Sequence, residues 1–203
     1  MKFIFCILFV LGCASAQFSA TAQEAILQIH NDLRSSIAKG DYSVNGTGLE
    51  ASSNMRKMKW DSCLERSARN LAKSCPDKTY KGAKYGENVF VSHTLYPENT
   101  FNRIGVMGAA IWGVELGQEL TAASLNNTIT KKTQMAWAEI NLMGCSVKNC
   151  GKVSPEKNTT KIVLVCKYEL PDNLSSSGMY KPGKACTSCD EGFKCETDSG
   201  LCV

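Results

Sequence analysis

The chain has 203 residues, of which 43% are hydrophobic and 21% charged, an ordinary globular balance and enough length for one well-packed domain. Its formal charge of +4 is small and its lysines are scattered, which argues against a nucleic-acid partner. Past the first eleven residues no apolar run approaches the roughly 20 that a spanning helix needs, so no membrane insertion is expected.

At the N-terminus, Lys2 precedes the apolar run Ile4 to Leu11 and the small-x-small triplet Ala14-Ser15-Ala16. This is the pattern of a secretory signal peptide occupying residues 1–16, and it predicts an extracellular product. Four N-glycosylation acceptors, Asn45, Asn126, Asn158 and Asn173, agree with that route. Of the 11 cysteines, Cys6 and Cys13 leave with the signal. Cys63, Cys75, Cys145, Cys150, Cys166, Cys186, Cys189, Cys195 and Cys202 remain, and in an oxidising compartment they read as disulfide partners rather than metal ligands. Nine is odd. One thiol is free, or pairs with another chain, or the cleavage point lies elsewhere.

Three helices are predicted. The first opens at a capping box, Thr21 to Glu24, carries Ile26, Ile29, Leu33 and Ile37 on one stripe, and stops at Gly40. The second opens at a capping box from Ser62 to Glu65, buries Leu64, Ala68, Leu71 and Cys75, and is ended by Pro76. The third opens at Pro97 and places Phe101, Ile104, Gly108, Ile111, Trp112 and Glu115 on one side. The runs Gln134 to Ile140, Cys145 to Lys148 and Lys161 to Tyr168 read as an antiparallel sheet, with Cys150 and Cys166 a pairing that would close its loop. Beyond Ser175 the chain has too few apolar residues for a core, so disulfides must hold it. The resulting division is a domain at 17–174 and a cysteine-rich extension at 175–203.

Several motifs occur in a telling order: His30-Asn31-Asp32-Leu33-Arg34, Met58-Lys59-Trp60-Asp61, Gly86-Glu87-Asn88-Val89-Phe90, Trp112 with Glu115, Thr133-Gln134-Met135-Ala136-Trp137, and Val165-Cys166-Lys167-Tyr168. Together they resemble the CAP superfamily of cysteine-rich secretory proteins, venom antigens and plant pathogenesis-related proteins. The resemblance covers about residues 23–173. Within the family, Leu33-Arg34-Ser35-Ser36, Gly144-Cys145 and the Cys186-x-x-Cys189 tail are most similar to secreted proteins of blood-feeding hookworms. The resemblance implies an α+β fold, a three-layer α-β-α sandwich with a short cysteine-rich C-terminal tail.

In many members of the family, two histidines and two glutamates of a central cavity hold a divalent metal. Here Glu87 and Glu115 match the acidic positions, but Lys131 stands where one histidine is usual and the other falls near Thr79. Two carboxylates beside an ammonium do not make a zinc site, so no metal or other cofactor is expected. Lys131 would instead pair with the carboxylates. Glu87 and Glu115 could otherwise suggest an acid and base for glycoside hydrolysis, but the ion-pair reading is preferred. The two histidines, His30 and His93, fall outside the cavity positions; His30 reads as a packed structural residue and His93 as a loop residue. No serine lies in a G-x-S-x-G context, and Cys186-x-x-Cys189 lacks the flanking βαβ pattern of a redox pair. The chain is therefore expected not to be an enzyme.

Function then falls to the surface, where Lys39-Gly40-Asp41 follows the first helix. A basic residue, glycine and aspartate in a row is a minimal integrin ligand. The carboxylate completes a receptor-held metal, the glycine lets the backbone bend close, and the cation reaches an acidic pocket. Lysine in place of arginine is tolerated by platelet fibrinogen receptors. The competing reading makes Gly40 a helix cap and the triplet a coincidence. The composition of residues 40–53 predicts an exposed, mobile loop. The preferred function is an antihaemostatic protein that blocks platelet integrins, the fibrinogen and collagen receptors. The alternative is an immunomodulator of host leukocytes, or a lipid-binding protein that uses the cavity rim or an apolar groove.

Overall fold

A computed structural model describes residues 18–44, 46–79, 85–97, 100–120, 133–153, 158–170 and 178–203. The expected signal peptide, Lys131, and the acceptors Asn45, Asn126 and Asn173 lie outside these residues; Asn158 lies within them and is exposed.

Helix α1 spans Ala20–Lys39. Its cap is not the Thr21 box but Ser19, whose hydroxyl accepts from the Ala22 amide and satisfies one of the orphan donors. Its buried positions are Ala22, Ile26, His30, Asn31, Arg34, Ile37 and Ala38, while Ile29 and Leu33 pack only partly against the core. Helix α2 spans Ser62–Ala72 and is likewise capped one residue earlier than expected, by Asp61, whose carboxylate accepts from Leu64 at 2.7 Å. That leaves Glu65 free to pair with Arg69 at 2.7 Å and to accept from the Trp60 indole at 3.0 Å. The helix ends at Ala72, short of Cys75 and Pro76. Helix α3 spans Phe101–Glu119 and buries Ile104, Ala109, Trp112 and Leu116.

The main sheet has the order β3-β5-β6-β4, with β3 at Lys59–Trp60, β4 at Gly86–Thr94, β5 at Leu142–Lys152 and β6 at Thr160–Tyr168. β6 pairs antiparallel with both neighbours, and β3 runs parallel to β5. Helix α2 covers one face, with Ala68 and Ala72 against Val163 and Val165, and α1 and α3 cover the other, which makes the three layers. Gly144 permits the close approach of α2, because a methyl group there would overlap the backbone of Asp61 and Glu65.

Three expectations fail here. The run Gln134 to Ile140 is not a strand but a 3-10 turn at Thr133–Met135 followed by turns, and the third long strand is β4. The stretch has strand composition without a strand neighbour, and Arg34 takes that neighbour's place. Its guanidinium donates to the carbonyls of Met135, Trp137 and Ala138 at 3.0 Å each and to Arg56 at 2.7 Å. Nor does Cys150 pair with Cys166. Cys145 and Cys166 face one another across β5 and β6 and bond there, while Cys150 reaches Cys75 beyond α2. Finally, His93 is not in a loop but on β4, exposed.

The C-terminal stretch is pinned by Cys186–Cys195 and Cys189–Cys202, with a short hairpin of β7 at Cys195–Glu196 and β8 at Leu201–Cys202. It is also packed. Met179, Tyr180 and Leu201 are buried in the main core, Arg56 meets Asp190 at 2.6 Å, and Lys57 meets Glu196 at 2.8 Å.

Candidate functional site

The acidic position at Glu87 is held by sheet register. Glu87 on β4 lies directly opposite Lys167 on β6, so both side chains leave the sheet on the face that carries Val89 and Val165. Lys167 donates from Nζ to Glu87 Oε1 at 2.7 Å, and both side chains are nearly buried, 11% and 5% exposed. The ring of Tyr85 lies beneath the same ammonium, 5.5 Å from Nζ to the ring centre. Among the described residues Lys167 is a cation that meets Glu87, and sequence reasoning passed over it as part of the Val165 to Tyr168 motif; the expected Lys131 lies outside these residues. The signal that could have found it is the strand pairing, which places residue 167 across from residue 87. Glu115 is half-buried on α3, and Thr79 is half-buried after Cys75.

On the opposite face of the same strands runs a chain of buried hydrogen bonds. His30 donates from Nδ1 to the Ile26 carbonyl at 2.8 Å, which leaves Nε2 to accept from the Tyr168 hydroxyl at 2.9 Å. Asn88 donates to that hydroxyl at 3.3 Å and accepts from Gln134 at 2.7 Å. Burial pulls His30 down to about 4 and pushes the Tyr168 phenol well above its ordinary range. His30 is 0% exposed, so it can neither take a substrate proton nor reach a nucleophile.

These residues do not fit the divalent metal that the family resemblance implies. Glu87 already has an ammonium at hydrogen-bond distance, and of the two imidazoles in the whole chain one is sealed against Tyr168 and the other is on the exposed end of β4. In the tail, the sulfurs of Cys186, Cys189 and Cys202 lie within 4.8 Å of one another, but all three are in disulfides and offer no thiolate. Among the described residues the one free thiol is Cys63, exposed in the first turn of α2.

The triplet Lys39-Gly40-Asp41 sits at the C-terminus of α1. Gly40 is left-handed at φ 76°, its amide donates to Ile37 at 3.1 Å, and the Asp41 amide donates to Ser36 at 2.8 Å, the two bonds of a Schellman turn. Lys39 and Asp41 are exposed on either side of it. The segment after the triplet is not the loose loop expected at residues 40–53. Strand β1 at Ser43–Val44 pairs with β2 at Thr47–Gly48, Leu49 donates to Tyr42 at 2.8 Å, and Val44, Leu49, Ser52 and Ser53 are buried. Apolar residues between the polar ones anchor the hairpin to the core.

Among known proteins, the chain is 27% identical over 202 residues to the human peptidase inhibitor R3HDML, covering 91% of this chain and 72% of that one. It is 25% identical to the Ancylostoma secreted protein of Ancylostoma caninum and spans only 45% of that relative's length. Of solved structures, that of NaASP2 with Zn2+ is similar at a TM-score of 0.78 and 27% identity, with 95% of this chain and all of the other covered. The hookworm platelet inhibitor shares the fold at a TM-score of 0.68 and 23% identity, with 93% of each chain covered. A family model matches residues 27–168, from the first turns of α1 to the end of β6. The chain belongs to the CAP family, the cysteine-rich secretory proteins.

Proposed function

We propose that this is a secreted, non-enzymatic binding protein that blocks platelet integrins through Lys39-Gly40-Asp41, and so impairs adhesion to fibrinogen and collagen. The observation that carries the reading is the exposed pair Lys39 and Asp41 at a turn whose backbone is already tied by two hydrogen bonds. A tied turn has less conformational entropy to lose on binding than a free loop. In this reading the Asp41 carboxylate completes a receptor-held metal, and the Lys39 ammonium meets an acid on the neighbouring receptor subunit. The absence of an enzymatic role is supported by the buried His30 and by the ion pair that engages Glu87.

The test is adhesion of washed platelets to immobilised fibrinogen and to collagen in the presence of the purified protein. Dose-dependent inhibition is expected, and full adhesion at a large molar excess would overturn the proposal.

A second reading, lipid binding or immunomodulation of leukocytes, is favoured by one feature. Between α1 and α3 lies a groove of about 540 Å³ lined by Ala22, Ala25, Val106, Met107 and Ala110, with Arg103 at its side. Fatty-acid titration with a fluorescent acyl probe, run beside the platelet assay, separates the two readings.

A further inference from the structure

The pairing of Glu87 with Lys167 has a reach beyond the integrin reading. We infer that Lys167 is a fixed counter-ion of Glu87, an ammonium built into β6 that neutralises the carboxylate in place of a divalent ion and closes this position to one.

Three observations support this. First, register alone brings the two groups together. Glu87 and Lys167 are direct cross-strand partners in an antiparallel pair, so the ammonium is delivered by the sheet itself and not by a loop that could withdraw. Second, the pair is nearly dry, with 5% of the Glu87 side chain and 11% of the Lys167 side chain exposed. A carboxylate taken this far from water must be neutralised, and the Nζ to Oε1 distance of 2.7 Å with the Tyr85 ring beneath the ammonium does so. Third, the imidazoles that a zinc ion would require in exchange do not exist. The chain holds two histidines, neither of them in the stretches outside the described residues; His30 is bonded to Tyr168, and His93 stands at the exposed end of β4. A divalent ion at Glu87 would have to displace this ammonium and shed its own hydration shell at a position to which the chain brings no free imidazole.

The inference makes Lys167 a positioning residue for Glu87, and it predicts how charge and not bulk decides its replacement. Lys167→Met keeps most of the side-chain volume but takes from a buried carboxylate the ammonium that lies 2.7 Å away. Its melting temperature should fall by about 6 °C or more. Lys167→Arg, which keeps the charge, should stay close to wild type. Adding Glu87→Gln to Lys167→Met removes the buried charge that lost this ammonium and should recover at least half of the loss, a coupling that a purely space-filling lysine would not produce.

The experiment is a set of thermal melts on the full secreted protein and these variants, each with excess EDTA and with about 100 µM zinc chloride, supported by calorimetric titration of zinc into wild type. Wild type should shift by less than about 1 °C between the two conditions, whereas micromolar binding would raise it by several degrees at that zinc concentration. A zinc-dependent rise in wild type that Glu87→Gln abolishes would overturn the inference, and this arm stands even if Lys167→Met does not fold. An unchanged melting temperature in Lys167→Met, or a double variant no better than it, would overturn it equally.

Discussion

His30 and Tyr168 are joined 138 residues apart in sequence, the imidazole Nε2 accepting from the phenol at 2.9 Å in a site with no solvent exposure. Burial holds the folded-state imidazole near pH 4, against an ordinary value of 6.5, with Arg34 adding a smaller effect in the same direction. The unfolded chain therefore takes up this proton first as pH falls. The stabilisation is complete above about pH 6.5 and is lost as pH drops through the window from 6.5 to 4, up to about 3 kcal/mol. Urea unfolding at pH 7.5, 6, 5 and 4.5 should show this decline. His30→Gln should be less stable at neutral pH, with a flatter dependence across the window.

Arg34 should be intolerant of the conservative change to lysine. Its planar fork serves four backbone carbonyls on two segments, and a single ammonium cannot reach all of them. Burial lowers the guanidinium to about 9, which leaves it charged at neutral pH. Arg34→Lys should cost about 3 kcal/mol, because buried carbonyls of the irregular stretch after Thr133 lose their donors. Equal denaturant midpoints for variant and wild type would refute this.

Cystine mapping of the purified protein should yield peptides joined through Cys75–Cys150, Cys145–Cys166, Cys186–Cys195 and Cys189–Cys202, and native alkylation should modify Cys63. A peptide joining Cys150 to Cys166 would contradict the fold. Cys75–Cys150 spans a separation of 75 residues, so its removal by paired alanine substitutions should lower unfolding free energy by about 3 kcal/mol.

Asp41→Ala should weaken inhibition of platelet adhesion more than tenfold, as truncation of a central anchor commonly costs about 2 kcal/mol. Folding stability should change by less than about 0.5 kcal/mol, because the side chain is exposed and alanine keeps the amide that caps α1. Asp41→Glu should also fail, since one more methylene displaces the carboxylate. Inhibition by Asp41→Ala equal to wild type, with a native circular dichroism spectrum, makes the triplet a bystander.

Gly40→Ala separates turn geometry from charge. The left-handed φ of 76° and an added Cβ only 3.3 Å from the Cβ of Ala51 should cost about 1 kcal/mol in thermal or urea melts. A variant as stable as wild type would mean that the turn is not fixed as described.

What the sequence determined by itself were the local features. The periodicity of Ile26 and Ile37 and the left-handed stop at Gly40 mark α1, the β-rich apolar run around Val165 marks β6, and the order of short motifs marks the family, because each depends on neighbours within a few residues. Cap residues erred by one or two positions, since Ser19 and Asp61 compete on equal terms with Thr21 and Ser62 until the incoming chain direction is known. Everything that depends on which strands become neighbours was decided by tertiary structure. Register chose Lys167 as a partner of Glu87 and Cys166 as the partner of Cys145. A buried guanidinium turned the strand-like run after Thr133 into irregular backbone, and anchoring of Val44 and Leu49 turned an apparently loose loop into a fixed hairpin. The physical reason is the same in each case. Hydrogen-bond and charge partners far apart in the chain are brought together only by packing, and local propensity carries no information about them.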